Sequence, residues 1–333
     1  MKIPRLVLAF TFAAAVPLLA APGVIRLATL APDNSPWTNA LRQMGAAWQK
    51  STGDRVKLQV NAGTIASDST AIAKMAAGGL EAATLFVAGL GEIDPTFNVF
   101  GIPFFFESDA ELEYVQKQMQ PMLQQKLAAK KYRLINWGNG GWVRLFSKQP
   151  LRSLADIKAA KLYTTEGDDK TVQWYKQNGF NAVPLATSAI PFNLKNPLGQ
   201  INAAPSPPVY ALATGFFNDA KYMLDVRLGP FTAATVMTEK AWSQISAEDQ
   251  AKMMEGAAAM EKQVNAAAPG LDTKYIEEMK KAGLNVVALD AKALAEFKTT
   301  AEQLLHTQRG PLVSAEAFDA AIKARDAYRK GAR

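Results

Sequence analysis

Cysteine is absent from all 333 residues, and histidine occurs once, at position 306. Without cysteine there is no disulfide framework, no thiolate metal site, no cysteine nucleophile and no lipid-anchor cysteine. A single histidine excludes multi-histidine metal sites. It also forces any Ser-His-Asp triad through His306, and the chain has no Gly-x-Ser-x-Gly elbow to present the serine. His306 sits among Leu304, Leu305 and Thr307 and reads as an ordinary residue of a C-terminal helix. No Gly-x-x-x-x-Gly-Lys-Ser/Thr loop occurs, so a nucleotide phosphate cradle is missing. Basic residues exceed acidic ones, 37 against 30, yet no run of five cations exists, which argues against a nucleic-acid partner. The bias could help to attract an anion, without establishing one. Long apolar runs are missing too: the one near the N-terminus, Leu6 to Ala15, is shorter than the roughly 20 residues that a membrane span needs.

That N-terminal segment has a different reading. Lys2 and Arg5 precede the apolar run, and Pro17 and the small pair Ala20-Ala21 follow it. This order of charge, apolar stretch and small residues is that of a secretory signal peptide over residues 1–22, removed on export. The mature protein is then a periplasmic chain not embedded in the membrane. It is long enough to bury a sizeable core without disulfides and to divide into two lobes.

Downstream, strand and helix signals alternate. Val24 to Ala28 reads as a buried strand, and Ser35 with Pro36 as the cap and first position of a helix. That helix carries Trp37, Leu41, Met44 and Trp48 at helical spacing. Val56, Leu58 and Val60 alternate as a strand, a helix begins around Asp68 and ends at Gly78-Gly79, and Ala82 to Val87 forms another strand. Such βαβ units predict a mainly parallel sheet flanked by helices. Ser108 with Glu111 opens a further helix, and Tyr132 to Trp137 and Trp142 to Ser147 read as two strands around a hairpin turn, Gly138-Asn139-Gly140-Gly141. Ser153 with Asp156 caps a short helix, Lys161 to Thr164 is a strand, and Asp168 caps the next helix. Phe231 to Thr238 is β-rich, and a helical region from Glu239 towards Gly283 is interrupted at Pro269-Gly270. No linker composition separates the lobes, so strands are expected to cross between them. The expected division is residues 23–142 with about 228–265 in lobe I, and 143–227 with about 266–333 in lobe II.

Six segments in order carry a family resemblance. They are Met75-Ala-Ala-Gly-Gly-Leu-Glu-Ala-Ala-Thr, Gly89-Leu-Gly-Glu-Ile-Asp-Pro, Ile102-Pro-Phe-Phe-Phe-Glu-Ser, Gly141-Trp142, Leu154 to Leu162, and Gly199-Gln-Ile201-Asn202. Together they resemble the DctP-type solute-binding proteins of tripartite ATP-independent periplasmic (TRAP) transporters, over nearly the whole mature chain. The resemblance implies an α/β periplasmic binding protein fold, its lobes joined by crossing strands and a long helix. It also implies a receptor, not an enzyme, that needs no cofactor and passes a small-molecule ligand to TRAP membrane permease subunits. Departures accompany the matches. Where the family places a carboxylate-binding arginine in Lys-Ile/Leu-Arg, this chain has Lys161-Leu162-Tyr163. A second family arginine aligns with Val143, and strand alternation turns the neighbouring Arg144 to the opposite face. The family's Asp and Asn-Pro appear as Asn202 and Ser206-Pro207. A small organic acid, or a related polar or aromatic molecule, is the implied ligand class.

The candidate ligand contacts are therefore Trp37, Phe86, Trp142, Arg144, Tyr163, Asn202 and Ser206. Tyr163 ends a short strand, where open α/β sheets place ligands, and its ring and hydroxyl suit both stacking and hydrogen bonding. Trp37 stands at a helix N-terminus but also belongs to that helix's apolar stripe. Phe86 fits a ligand contact or plain core packing, and one of Trp142 and Arg144 is expected to face the cleft. Glu166, Asp168 and Asp169 form an acidic loop better suited to capping a helix than to holding calcium. The alternatives are an interaction or sensor protein on the same fold and, more remotely, a periplasmic enzyme using carboxylates alone.

Overall fold

A computed structural model describes residues 23–331, so the signal-peptide reading lies outside the described residues. Nine strands join one hydrogen-bonded sheet: β1 (Gly23–Thr29), β2 (Val56–Ala62), β3 (Ala82–Phe86), β4 (Tyr132–Ser147), β5 (Lys161–Thr165), β6 (Asn181–Leu185), β7 (Ala203–Ser206), β8 (Tyr222–Thr238) and β9 (Asn285–Val287). Their order is β2-β1-β3-β8-β4-β7-β5-β6, with β9 on the near end of β8. The βαβ signals explain the parallel pairs: β1 runs parallel to β2 and β3, and β5 to β6 and β7.

The two longest strands belong to both ends of the sheet. Tyr132 to Asn139 of β4 pair with Thr238 to Thr232 of β8, whose outer edge carries β3. Further along, Leu145 to Ser147 pair with Leu224 to Tyr222, and Arg144 to Ser147 also hold β7. Register shifts fall between these stretches, at Asn139/Trp142 and Val143/Leu145. Bulges bend a strand and increase its twist, so one ladder serves two differently oriented halves.

Here the sequence expectation of a hairpin is corrected. Residues 138–141 lie inside the continuous strand β4. The glycines serve close approach instead of a turn. A Cβ on Gly138 would lie 2.3 Å from the Trp37 ring, and one on Gly140 would lie 2.7 Å from the Phe231 ring. Gly141 has φ near 94°, which disfavours any side chain, and on the other face a Cβ there would meet Asp272 at 2.9 Å. The second correction concerns Pro269: the helix Ala247–Lys281 runs through it without a break.

Helices cover the sheet. Helix Pro36–Ser51, capped by Ser35, buries Leu41, Met44 and Trp48, and the Trp48 indole donates to the Met253 carbonyl of the long helix at 2.8 Å. Helix Asp109–Ala129 starts at Ser108 and buries Leu112, Val115, Leu123 and Leu127 in the largest apolar cluster. The last helix, Ala315–Arg329, joins that cluster through Phe318 and Ala321, and Arg329 donates to Glu111 at 2.6 Å. The last helix thus shares its apolar cluster with helix Asp109–Ala129. Separate clusters around Phe146 and Phe216, and around Leu162 and Val226, fill the second half. His306 lies in a short turn after helix Ala291–Leu305, its ring 5.9 Å from that of Phe318.

Where β4 bends, Arg144 donates to Asp272 of the long helix at 3.3 Å, and both side chains are buried. Removing one partner of such a pair strands the other charge in a dry interior. Asp272→Ala should lower the free energy of unfolding by about 3–5 kcal/mol in a denaturant titration. Glu277→Ala, which cuts an exposed contact to Lys280, should change it by less than about 1 kcal/mol.

Candidate functional site

Open α/β sheets bind ligands beyond the carboxyl ends of their strands. A cavity of about 480 Å³ lies there, with walls from both halves. The first half contributes the segment after β1 with Trp37, the loop before helix Asp68–Ala76, and Phe86 at the end of β3. The second contributes Tyr163, Thr165 and Glu166 at the end of β5, Thr187 and Ser188, and Pro205 to Pro207 at the end of β7. Asn139, Gly140 and Val143 of the crossing strand form a floor, together with Phe231 and the Ala267 to Leu271 face of the long helix.

Of the seven sequence candidates, Trp37, Phe86, Tyr163 and Ser206 line this cavity. The other three are turned elsewhere. Trp142 is buried in the first-half core with the Arg227 guanidinium over its ring, and its indole reaches Asp109 at 3.5 Å. Arg144 faces Asp272 across the sheet, as alternation with the cavity-lining Val143 requires. Asn202 is a structural cap whose Oδ1 accepts from the Lys161 N–H at 2.8 Å.

Three of the four cavity residues are held by neighbouring groups. Tyr163 shares a hydrogen bond with the Thr187 hydroxyl at 2.9 Å, and Tyr210 donates to the Thr187 carbonyl at 3.1 Å. Burial raises the Tyr163 phenol and pushes that of Tyr210 up to about 12, so both are neutral donors. Phe86 packs against Phe231 with ring centroids 4.8 Å apart. The Ser206 hydroxyl donates to the Pro207 carbonyl at 3.1 Å.

Two polar residues that the sequence reading did not rank stand out. Asp68 begins a helix, a position usually explained by capping, but Ser67 performs that role by accepting from the Thr70 N–H at 3.2 Å. The Asp68 carboxylate is thus free to turn inwards, where Oδ2 accepts from the Phe86 N–H at 3.1 Å and Oδ1 is buried without a partner. Burial pushes its pKa up to about 7, opposed by the Phe86 N–H and assisted by the nearby charge of Glu92. Asn139 is oriented by Thr232, whose hydroxyl donates to Oδ1 at 2.7 Å, leaving Nδ2 buried and unpaired. The Trp37 indole N–H is also buried without a partner. The pair Ser67-Asp68, with two capping residues where one suffices, was the only sequence signal for Asp68. Asn139 had none, because it depended on recognising a continuous strand.

Glu166 lies at the cavity while Asp168 accepts from the Thr171 N–H at 3.2 Å as a helix cap. Among the described residues, no group of three or more His, Asp or Glu side chains is arranged to hold a metal ion. No helix among them is long and apolar enough to cross a membrane.

Two α/β lobes around a shared ladder, with a cavity between them, define a solute-binding protein. The sequence profile described as "Bacterial extracellular solute-binding protein, family 7" (DctP) matches residues 27–309, and the chain belongs to that family. A protein named "Solute-binding protein" from Chromohalobacter salexigens is 23% identical over 229 residues, covering 68% of this chain and 67% of the relative. The fold is shared with a TRAP periplasmic solute-binding protein from Desulfovibrio salexigens with bound orotic acid, at a TM-score of 0.84 and 16% identity over 92% of this chain and 99% of that one. It is also shared with an extracytoplasmic solute receptor from Bordetella pertussis binding pyroglutamic acid, at a TM-score of 0.81 and 18% identity over 91% and 99%.

Because the folded Asp68 binds its proton more tightly than an unfolded aspartate, the native state gains less stability as pH rises. The sign is the reverse of that for an ion-paired carboxylate. From about pH 4 to about pH 7, Asp68 should steadily reduce unfolding stability. Stability measured across that range should fall less steeply in Asp68→Asn than in the parent protein.

Proposed function

We propose that this chain is an exported, periplasmic receptor that encloses one small molecule between two lobes and presents it to a TRAP-type membrane permease. The observation that carries this reading is the cavity: it draws its walls from the strand ends of both halves and its floor from the strands that cross between them. Ligand contacts to both walls would favour a closed form, and a permease that recognises that form would receive only loaded receptors. About 480 Å³ suits a small metabolite. The acids bound by the Desulfovibrio and Bordetella relatives fall in the same size class. The proposed lobes follow the packing, with residues 315–329 joining the first lobe through the Phe318 cluster.

Trp37, Phe86, Tyr163 and Ser206 are the proposed contacts from the original set, joined by Asp68 and Asn139. A receptor is favoured over an enzyme by the family and by its structural neighbours, which are solute-binding proteins. The open cavity favours a receptor over an interaction protein that has filled its cleft with its own side chains.

The test is thermal denaturation and tryptophan fluorescence of the purified protein against a metabolite panel of acids, neutral polar compounds and amines. A one-site ligand at about 100 times its Kd should add about 2.7 kcal/mol to stability. Trp37→Phe should abolish most of the fluorescence change. Stabilisation by no compound would contradict the receptor reading.

A further inference from the structure

The charge lining the cavity is of one sign. Asp68, Glu92 and Glu166 face it, and among the described residues no lysine, arginine or histidine does. Arg144, which could have supplied a cation, lies on the opposite face of β4 and is already paired with Asp272. An organic anion placed here would lose its hydration and meet carboxylates in return. Building on the receptor reading, we infer that the ligand is an amine: a small monocation with an aromatic or apolar body, whose ammonium pairs with Asp68.

Four features bear on this. Asp68 is only 7% exposed, lines the cavity and has one carboxylate oxygen without any partner, the defect that an N–H donor would repair. The aromatic faces of Trp37, Phe86, Tyr163, Tyr210, Phe231 and Tyr275 line the same space and suit both a cation and an apolar body. The unpaired Trp37 Nε1 calls for an acceptor on the ligand, such as a hydroxyl, ether or carbonyl oxygen. Glu92 and Glu166 at the exposed rim add a negative potential that steers a cation inwards.

The pairing also fixes a pH dependence. The groups that act on Asp68 are the Phe86 and Gly89 N–H donors, the charge of Glu92, and the hydroxyl of Tyr163 across the cavity. Only ionised Asp68 attracts an ammonium, so amine affinity rises between about pH 5.5 and 7.5 and proton release accompanies binding at the acid end. An acid ligand hydrogen-bonded to neutral Asp68 gives the opposite slope.

Calorimetry with tyramine, tyrosol and 4-hydroxyphenylacetate tests the inference, because these probes share a phenol ring and carry positive, zero and negative charge. Tyramine should bind at least about tenfold tighter than tyrosol, and the acid should not bind measurably. Asp68→Asn should erase the tyramine advantage over tyrosol, and a cooperative thermal transition shows that the variant folds. The acid binding as well as tyramine, or tyramine binding unchanged by Asp68→Asn, overturns the amine and leaves the receptor reading intact. If none of the three binds, the metabolite panel decides. Stabilisation by amines upholds the inference, stabilisation only by acids or neutral compounds overturns it, and stabilisation by nothing overturns both it and the receptor.

Discussion

Everything in this molecule depends on the ladder between β4 and β8. Because each strand serves both halves, neither half closes its sheet without the other, and the bend between them must fall where the ladder slips register. The long helix crosses that bend and is held to it by the buried pair Arg144–Asp272, by the Glu261 carboxylate accepting from the Trp137 N–H at 2.8 Å, and by Asn265 Oδ1 accepting from the Asn139 N–H at 2.9 Å. These contacts all attach one face of the helix to β4, and Ala267, Ala268 and Leu271, on or beside that face, line the cavity. The bend and the cavity floor are therefore the same structure, so a molecule held in the cavity would rest on the strand and helix that join the two halves.

The second constraint is electrostatic. The Arg144 side chain is buried, and burial lowers its pKa despite the neighbouring Asp272. Its charge is committed to holding the long helix against β4. Asp68, in contrast, is a carboxyl taken out of water with no cation to receive it, and its displaced pKa records that cost. The pair at the bend meets through a single contact that leaves Arg144 Nε and Nη1 and Asp272 Oδ1 without partners, whereas Asp68 in the cavity has no cation beside it among the described residues. Unpaired buried groups persist in native proteins where something else completes them.

Much of the frame was legible in the sequence because it depends on short-range rules. Ser35-Pro36, Ser108, Ser153 and Asp168 all cap the helices assigned to them, since capping needs only an oxygen two or three residues before an amide. The alternation that placed Arg144 opposite Val143 is equally local. The errors came from long-range contacts. Gly138 to Gly141 have the composition of a turn, and only the approach of Trp37, Phe231 and Asp272 explains them as part of a strand. Pro269 does not break its helix, where the Pro269 carbonyl accepts from the Thr273 hydroxyl at 3.2 Å. The site was half legible: a strand end pointed to Tyr163 and the family resemblance to Ser206, but Asp68 and Asn139 matter only for the partners they lack, which local pattern does not encode.

The central claim is that the cavity between the lobes is a ligand site closed by both walls. A crystal structure of the protein purified without refolding, in the presence of the tightest stabilising metabolite, tests it most directly. The account predicts density for one small molecule touching Asp68 Oδ1 on one wall and Tyr163 or Ser206 on the other, with the lobes closer together than in ligand-free crystals. The same stabilising compound bound outside the cavity, or an unchanged angle between the lobes with the cavity empty, would contradict it.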